Sequence, residues 1–372
     1  MDQLNRLKDS FRAYSEEVDE KSRFPMENVK KLVEIGYTKS TLPKEYGGLG
    51  FRVMDMVLTQ ETIASFDAST GLSIGWHLGV VGELYEKKLW DEEKLVAFAK
   101  EVTEGALVNR AVSEIQTGSP TRGGRPTTKA VKQNGKWVVN GRKAYTTMSP
   151  ALTHFLVSAW VEEKDGIGFF LIPKDTEGLS IEETWDVIAM RGTESHDLVL
   201  DNVKVPDENF VELNKGPRGD KINGWILHIP ACYLGIAQAA RDYAVKFSTE
   251  YSPNSITGTI SELPNVQTLI GQMELELTKA RHVLYSVAEA YDDPDRRPLI
   301  TNELAIAKHT VTNAALDIVD KAMRIVGAKS LQRSNPLSRY YRDVRAGLHN
   351  PPMDDMTISK LAKTAIQEFQ KE

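Results

Sequence analysis

Hydrophobic and polar residues follow three successive patterns along the 372-residue chain. From residue 1 to 108, apolar residues recur at the three- and four-residue spacing of amphipathic helices, as at Val29 and Val33. From 109 to 212, short runs of β-branched and aromatic residues predict strands. From 213 to 372 the helical spacing returns. The pattern predicts an α+β multidomain protein with an N-terminal helical domain, a central antiparallel β domain and a C-terminal helical bundle.

Single positions within these regions predict where elements turn and end. Asn134-Gly135 and Asn140-Gly141 are both typical of hairpins, because the central positions of a type I′ turn need positive φ. Gly327 follows a helical stripe at the place of a C-terminal cap. Residues 43–50 carry three glycines and a proline, which favours a fixed loop or a plain connector between helices. The clearest stripe of the bundle consists of Val266, Leu269, Ile270, Met273, Leu277, Ala280 and Leu284.

Composition and charge restrict the class of partner. Hydrophobic residues make up 41% of the chain and charged residues 26%, as in an ordinary globular protein with several packed layers. The formal charge of -6 gives no electrostatic reason to bind nucleic acid or an anionic membrane. The single cysteine, Cys232, cannot form an internal disulfide, and no apolar run approaches the ~20 residues of a membrane helix. We therefore expect a cytoplasmic protein whose partner is a small molecule or another protein.

Common catalytic signatures are missing from the sequence. The glycines at 47, 48 and 50 lack the spacing of a Gly-x-Gly-x-x-Gly dinucleotide turn, and neither a Walker A lysine nor a Gly-x-Ser-x-Gly elbow occurs. The seven histidines include no His-Glu-x-x-His motif and no close pair, so no metal site is expected. Residue patterns alone support only a helix–β–helix protein.

Several segments nevertheless form a combination that is specific in its order and spacing. They are Pro-Lys-Glu-Tyr-Gly-Gly-Leu-Gly at 43–50, Ser113-Glu114 with Gly118-Ser119, Asn-Gly-Arg-Lys-Ala-Tyr-Thr-Thr at 140–147, Met-Arg-Gly-Thr at 190–193, Val-Lys-Val-Pro at 203–206 and Arg342-Asp343. Together they resemble the motifs of the acyl-CoA dehydrogenase superfamily of flavoproteins over essentially the whole chain. The resemblance implies the acyl-CoA dehydrogenase fold, with a flavin between the β domain and the bundle.

The resemblance also implies a cofactor, an assembly and a set of binding residues. FAD is the implied cofactor, with FMN as the alternative, and the assembly is a homotetramer or a homodimer. Hydroxyl and main-chain groups would meet the flavin edge, and Tyr145 would replace the usual tryptophan beside the ring. Arg324 would contact the phosphates of a neighbouring subunit's FAD. The implied cofactor-binding residues are Val112, Ser113, Ser119, Tyr145, Thr147, Arg324 and Gly327.

The sequence departs from this family at the catalytic base. In an acyl-CoA dehydrogenase a carboxylate removes the α-proton of the thioester while a hydride passes to the flavin. The two positions at which family members carry that glutamate hold Pro351 and Trp225. Asp354 or Asp355 would substitute if the loop is shifted, although adjacent acids there are also typical of a helix N-terminus.

Three functions therefore remain open on the sequence. The first expectation is α,β-dehydrogenation of a small acyl-CoA thioester, with an electron-transfer flavoprotein as the redox partner. The second is oxygenation by the flavin-dependent monooxygenase branch of the superfamily, which includes the dibenzothiophene monooxygenases. Residues 345–351 resemble that branch. A flavin reductase would then be the partner. In that branch His349 and His77 are candidate proton donors during oxygen activation, since imidazole titrates near pH 7. The third is a flavin-binding homologue without catalysis.

Overall fold

A computed structural model describes residues 1–118, 124–215 and 223–370 of the chain. Its N-terminal region is helical, and two of its helices are apolar on nearly every face because neighbours cover them on several sides. One of these begins after Asp67, whose carboxylate accepts a hydrogen bond from the Thr70 amide at 3.0 Å and so caps the helix. The helices are α1 (Asp2–Asn5), α2 (Lys8–Lys21), α3 (Met26–Glu34), α4 (Val53–Phe66), α5 (Ala68–Glu86) and α6 (Glu92–Thr103).

Residues 43–50 form a compact loop between α3 and α4. A short 3₁₀ turn, Lys44–Tyr46, is followed by Gly47 at φ +89° and Gly50 at φ +69°. A Cβ atom at Gly48 would lie 1.9 Å from the Leu42 carbonyl oxygen, so only glycine fits there. The glycines of this segment therefore meet a backbone requirement.

The central region forms one sheet. The strands are β1 (Val108–Ala111), β2 (Lys129–Gln133), β3 (Lys136–Lys143), β4 (His154–Val161), β5 (Gly166–Pro173), β6 (Leu179–Glu182), β7 (Asp197–Pro206) and β8 (Phe210–Asn214). Their order is β6-β7-β3-β2-β4-β5-β8, with β1 paired to β4. Most neighbours are antiparallel, as expected, but β4 pairs in parallel with both β1 and β2, so the sheet is mixed.

The two Asn-Gly pairs have different structures. Asn134 and Gly135, at φ +49° and +77°, connect β2 to β3 as the predicted hairpin turn. The prediction of a second hairpin at Asn140-Gly141 is wrong, because this pair lies inside β3, where its register against β7 shifts. Gly141 has φ +153°, and a Cβ atom on it would lie 2.4 Å from Thr128 Oγ1. The glycine therefore serves a β-bulge and a close backbone approach.

The C-terminal region is helical, as predicted. The helices are α7 (His228–Glu250), α8 (Pro264–Asp292), α9 (Glu303–Val326), α10 (Pro336–Asp343) and α11 (Asp354–Gln370). Five of the seven stripe residues of α8 are buried, while Leu269 and Ile270 are half-buried. Gly327 ends α9 at φ +69°, which confirms the predicted cap.

The two helical regions and the sheet share one hydrophobic core. Helix α4 packs against α7, and its Glu61 carboxylate accepts hydrogen bonds from Arg281 Nε at 3.0 Å and the Tyr285 hydroxyl at 2.6 Å. Asp292, at the end of α8, accepts from the amides of Val53 and Met54 at 3.0 and 2.9 Å. These contacts fix the helical regions to each other. Over the described ranges, no helix is long and apolar enough to cross a membrane.

Candidate active site

A buried carboxylate organises the segment that follows β1. Glu114 accepts hydrogen bonds from Lys143 Nζ at 2.7 Å, the Thr127 amide at 2.7 Å and Thr128 Oγ1 at 2.7 Å. Although burial opposes the charge, Lys143 and these donors hold the pKa of Glu114 well below its ordinary value. The Glu114–Lys143 pair therefore fixes the loop at 112–118 against the end of β3.

The end of β3 presents an aromatic ring on the surface. The Ala144 amide donates to the Ser113 carbonyl at 2.8 Å, which aligns the two segments side by side. Tyr145 then takes φ +58°, and its side chain is 63% exposed. Its ring meets that of Trp185 edge-on, with centroids 6.3 Å apart. A left-handed backbone at an exposed aromatic residue is uncommon and is often found at functional sites.

Three hydroxyl groups, which we name the hydroxyl series, lie behind this strand end. Thr147 Oγ1 is 2.9 Å from Ser195 Oγ, and Ser195 Oγ is 2.9 Å from Thr193 Oγ1. Thr193 Oγ1 in turn donates to the Met190 carbonyl at 3.0 Å. The series thus joins Thr147, in the turn after β3, to the segment that carries Met190.

Asp343 joins this β-domain segment to the helical bundle. Its Oδ1 accepts from the Met190 amide at 2.6 Å. Burial raises the pKa of Asp343 from 3.8 to about 7, because the Met190 hydrogen bond offsets only part of the desolvation. The adjacent guanidinium of Arg342 pairs instead with Asp19, with Nη1–Oδ1 at 3.0 Å.

His349 follows Asp343 at the end of a 3₁₀ turn, Val344–Leu348, and its side chain is exposed. The next residue, Asn350, accepts from the buried Tyr233 hydroxyl at 2.5 Å. Gly347 lets this turn approach α7 closely, since a Cβ atom there would lie 3.2 Å from the Tyr233 ring. The turn is thus held by its neighbours, while the imidazole of His349 stays accessible to a ligand.

His77 lies elsewhere and is fully buried in α5. One ring nitrogen contacts the Thr38 carbonyl oxygen at 2.9 Å, and the other accepts from the Val108 amide at 3.1 Å. Burial lowers the pKa of His77 to about 4, so the ring is neutral near pH 7. Both ring nitrogens are occupied by main chain, and this favours a role in joining α5 to β1 over proton donation.

The two aspartates proposed as replacement bases start helix α11. Asp354 accepts from Asn313 Nδ2 at 2.8 Å and lies 3.5 Å from Lys308 Nζ, while Asp355 is exposed. Asp354 therefore bridges α9 and α11 as well as favouring the helix N-terminus. A base with these partners is restrained from reaching a substrate.

The remaining candidate binding residues divide into three groups. Val112 and Ser113 are half-buried beside the Tyr145 segment. Arg324 and Gly327 are exposed at the end of α9. Ser119 lies outside the described residues. The expectations from sequence did not include the Glu114–Lys143 pair or the hydroxyl series, although all these residues except Ser195 belong to the matched motifs.

A cavity of about 1020 Å³ opens between α2, α7 and α10 and is lined mainly by charged and tyrosine side chains. Ser113, Tyr145, Thr147 and His349 do not line it. The candidate site around Tyr145 is therefore separate from this cavity.

Comparisons with known proteins identify relatives across the whole chain. Family models described as the N-terminal, middle and C-terminal domains of acyl-CoA dehydrogenase match residues 6–88, 109–203 and 227–348. "Putative acyl-CoA dehydrogenase YdbM" of Bacillus subtilis (strain 168) is 62% identical, over 99% of this chain and 96% of that protein. The short-chain specific mitochondrial acyl-CoA dehydrogenase of Mus musculus is 30% identical, over 88% and 80% of the two chains.

Solved structures share the architecture. KijD3, in complex with FMN and dTDP-3-amino-2,3,6-trideoxy-4-keto-3-methyl-D-glucose, superposes with a TM-score of 0.85 at 25% identity. The match covers 98% of this chain and 93% of KijD3.

Proposed function

Because the chain belongs to the acyl-CoA dehydrogenase family, we propose that it binds a flavin against residues 143–147 and acts as a flavin-dependent oxidoreductase. The observation that carries the proposal is the rigid strand end, which holds the exposed Tyr145 ring and the Thr147 hydroxyl beside Ser113. The FMN bound by KijD3 supports a flavin at the matching surface.

The residues present fit a flavin. Tyr145 offers a flat aromatic face, with the edge-on ring of Trp185 beside it. Within the described part of the chain, the Ser113 hydroxyl has no hydrogen-bond partner and is free to meet a polar ring edge. A polar edge beside an aromatic wall is what an isoalloxazine ring requires.

The chain's own residues would orient the ring. Tyr145 would cover one face, and Thr147 and Ser113 would hold one edge. The turn that ends at His349 would border the site from the bundle side, since Asp343, at the start of that part of the chain, binds the Met190 amide. A bound flavin supplies two-electron chemistry, taking a hydride when oxidised and giving electrons to oxygen when reduced. The protein positions the substrate and moves the proton.

Dehydrogenation of an acyl-CoA thioester is the reaction that the family and the short-chain relative support. It needs a base beside the flavin, and Asp354 is the nearest acid in sequence to the family's usual position. For Asp354 to act, its contacts with Asn313 and Lys308 must open. The proposed base is therefore Asp354 after a local movement of the start of α11.

A monooxygenase reaction is the second candidate, and a specific observation favours it. The two family positions for the base hold Pro351 and Trp225, and Trp225 is buried with its indole nitrogen donating to Glu86 at 3.0 Å. A reaction with oxygen needs no thioester base, and the exposed His349 is available as the proton donor. A flavin reductase would then supply the reduced cofactor.

An anaerobic titration of the flavin-loaded protein with short, medium and branched acyl-CoA thioesters separates the two reactions. Loss of the oxidised flavin absorbance supports dehydrogenation. No bleaching, together with substrate-dependent oxygen uptake in the presence of a flavin reductase, supports the monooxygenase. Tyr145→Ala should weaken flavin binding, whereas Phe369→Ala, a change at another exposed aromatic side chain, should not. A wild-type protein that retains neither FAD nor FMN would contradict the whole proposal.

The assembly and the choice of flavin form a further part of the proposal. Arg324 and Gly327 are exposed at the end of α9, where a second copy's FAD phosphates would be met in a homotetramer or homodimer. Arg324→Ala should therefore weaken FAD more than FMN, since FMN lacks the second phosphate. Equal weakening of both flavins would exclude this role.

A further inference from the structure

His196 connects the two segments that carry the exposed aromatic rings of the candidate site. Its main-chain carbonyl accepts a hydrogen bond from the amide of Thr146, the residue after Tyr145, at 3.1 Å. Its ring nitrogen Nδ1 accepts from the amides of Thr184 and Trp185, each at 3.1 Å. One residue therefore holds the Tyr145 segment through its main chain and the Trp185 segment through its side chain.

These hydrogen bonds decide which ring nitrogen of His196 carries a proton. Nδ1 has one lone pair, and the two amides share it, so Nδ1 carries no proton in this arrangement. The proton of the neutral ring is therefore on Nε2, which lies 3.9 Å from the Glu194 carboxylate. His196 is 8% exposed, so water has little access to compete for Nδ1.

Trp185 is held by a second contact besides His196. Its indole nitrogen donates to the Met190 carbonyl at 3.1 Å, and its ring meets Tyr145 edge-on with centroids 6.3 Å apart. The backbone contact to His196 and the side-chain contact to Met190 together fix the direction of the indole. Loss of the His196 contact would leave Trp185 with the Met190 contact as its remaining polar restraint among those found in the described residues.

We propose that His196 is a positioning residue for the flavin: its neutral ring holds Trp185 against Tyr145, and protonation of the ring releases Trp185 and weakens flavin binding. The inference rests on the proposed function, because it needs the flavin against Tyr145. An imidazolium ion has a proton on both nitrogens and accepts no hydrogen bond. Imidazole becomes protonated in mildly acidic solution, and the amides of Thr184 and Trp185 would then face an N–H group. Flavin binding should therefore weaken as the pH falls.

Other titratable and charged groups lie around His196 and its partners. Glu194 faces Nε2. Asp343 binds the Met190 amide, and burial raises the pKa of Asp343 to about 7. The remaining charged groups on the neighbouring segments are Arg23, Arg142, Glu182, Glu183 and Asp197. Because all these groups are the same in a variant of His196, a comparison with the wild type at each pH isolates the contribution of the imidazole.

The test measures the dissociation constant of FMN for the apoprotein at pH 8, 7, 6 and 5, by quenching of flavin fluorescence. His196→Asn offers an amide oxygen as the acceptor and does not titrate. It should bind FMN like the wild type at pH 8. From pH 7 to pH 5 the dissociation constant of the wild type should rise about tenfold more than that of His196→Asn. The FMN phosphate titrates in both proteins and cancels in this comparison.

Two further variants complete the series. His196→Leu has no acceptor and should bind FMN about tenfold more weakly than the wild type at pH 8. His154→Asn is the matched control, because this half-buried histidine contacts Glu101 on α6 at 2.9 Å and has no contact with Trp185. It should follow the pH profile of the wild type. Thermal unfolding midpoints at each pH show whether every variant is folded.

A measurement on the apoprotein tests the release of Trp185 without a flavin and without a change at His196. The fluorescence difference between the wild type and Trp185→Phe reports on this indole. It should change between pH 8 and pH 5. The change should persist when both proteins carry Asp343→Asn, which removes the other titrating group near Trp185.

The outcomes separate this inference from the proposed function. Parallel pH profiles for the wild type and His196→Asn, or an unchanged FMN affinity in His196→Leu, would overturn the inference and leave the proposed function standing. A Trp185 fluorescence that stays constant from pH 8 to pH 5 would also overturn it. A wild type that binds neither FMN nor FAD at pH 8 would overturn the proposed function and this inference with it.

Discussion

Replacing Asp343 by asparagine should remove a large pH dependence of stability. The carboxyl is 2% exposed, and its one hydrogen bond from the Met190 amide does not compensate its burial. Asp19 adds repulsion, while Arg339 and Arg342 attract it only at a distance. The pKa is accordingly raised from 3.8 to about 7. In Asp343→Asn the side-chain oxygen can still accept from Met190, but the group no longer titrates.

The sign of the effect follows from proton binding. Between about pH 4 and pH 7, the unfolded chain has lost this proton and the folded protein keeps it, so the free energy of unfolding falls as pH rises. Roughly three pKa units correspond to about 4 kcal/mol at 1.36 kcal/mol per unit. This contribution is fully present below pH 4 and lost above pH 7.

Urea unfolding at pH 4.5, 6, 7 and 8.5 tests the prediction. The stability of the wild type relative to Asp343→Asn should fall by about 3 kcal/mol from pH 4.5 to pH 8.5, and most of the fall should lie below pH 7. Asp175→Asn, at an exposed carboxyl, is the matched control and should follow the wild type. Parallel curves for the wild type and Asp343→Asn would refute the reasoning.

Three other changes have defined outcomes. Glu114→Gln leaves the buried Lys143 without its charge partner and should lower the free energy of unfolding by about 3–5 kcal/mol. The variant should show a lower thermal unfolding midpoint and lose its flavin. An unchanged midpoint would contradict the role of the pair. Gly141→Ala should destabilise the protein, because the new Cβ would lie 2.4 Å from a neighbouring threonine oxygen. Gly271→Ala on α8 meets open space and should stabilise the protein by up to about 1 kcal/mol. Equal thermal unfolding midpoints for the two variants would count against this. His349→Ala should leave flavin binding unchanged and slow oxygen-dependent turnover only; unchanged turnover would exclude it as the proton donor.

Local rules were sufficient for much of the fold. The Asn134-Gly135 hairpin, the α8 stripe and the cap at Gly327 each depend on residues a few positions apart, so spacing and backbone preference predict them directly. The resemblance motifs likewise placed Tyr145 and Thr147 together at one strand end. These features are found in the folded protein because tertiary packing agrees with the local preference of the sequence.

The same local rules failed where a distant segment decides the outcome. Asn140-Gly141 has hairpin chemistry, yet Thr128 and β7 need a glycine bulge at that point. His77 has an ordinary sequence context, and only its burial between Thr38 and Val108 makes it neutral and structural.

The sequence by itself therefore determined the order of helices and strands and the family, and it pointed to the segments in which we propose the site. Tertiary structure alone decided the protonation of Asp343, the pairing of Glu114 with Lys143 and the contacts that join Thr147, Ser195 and Thr193. Each of these depends on burial and on partners far away in the chain: Met190 and Asp343 are 153 positions apart. Desolvation and hydrogen-bond geometry act through space, and residue order does not encode them locally.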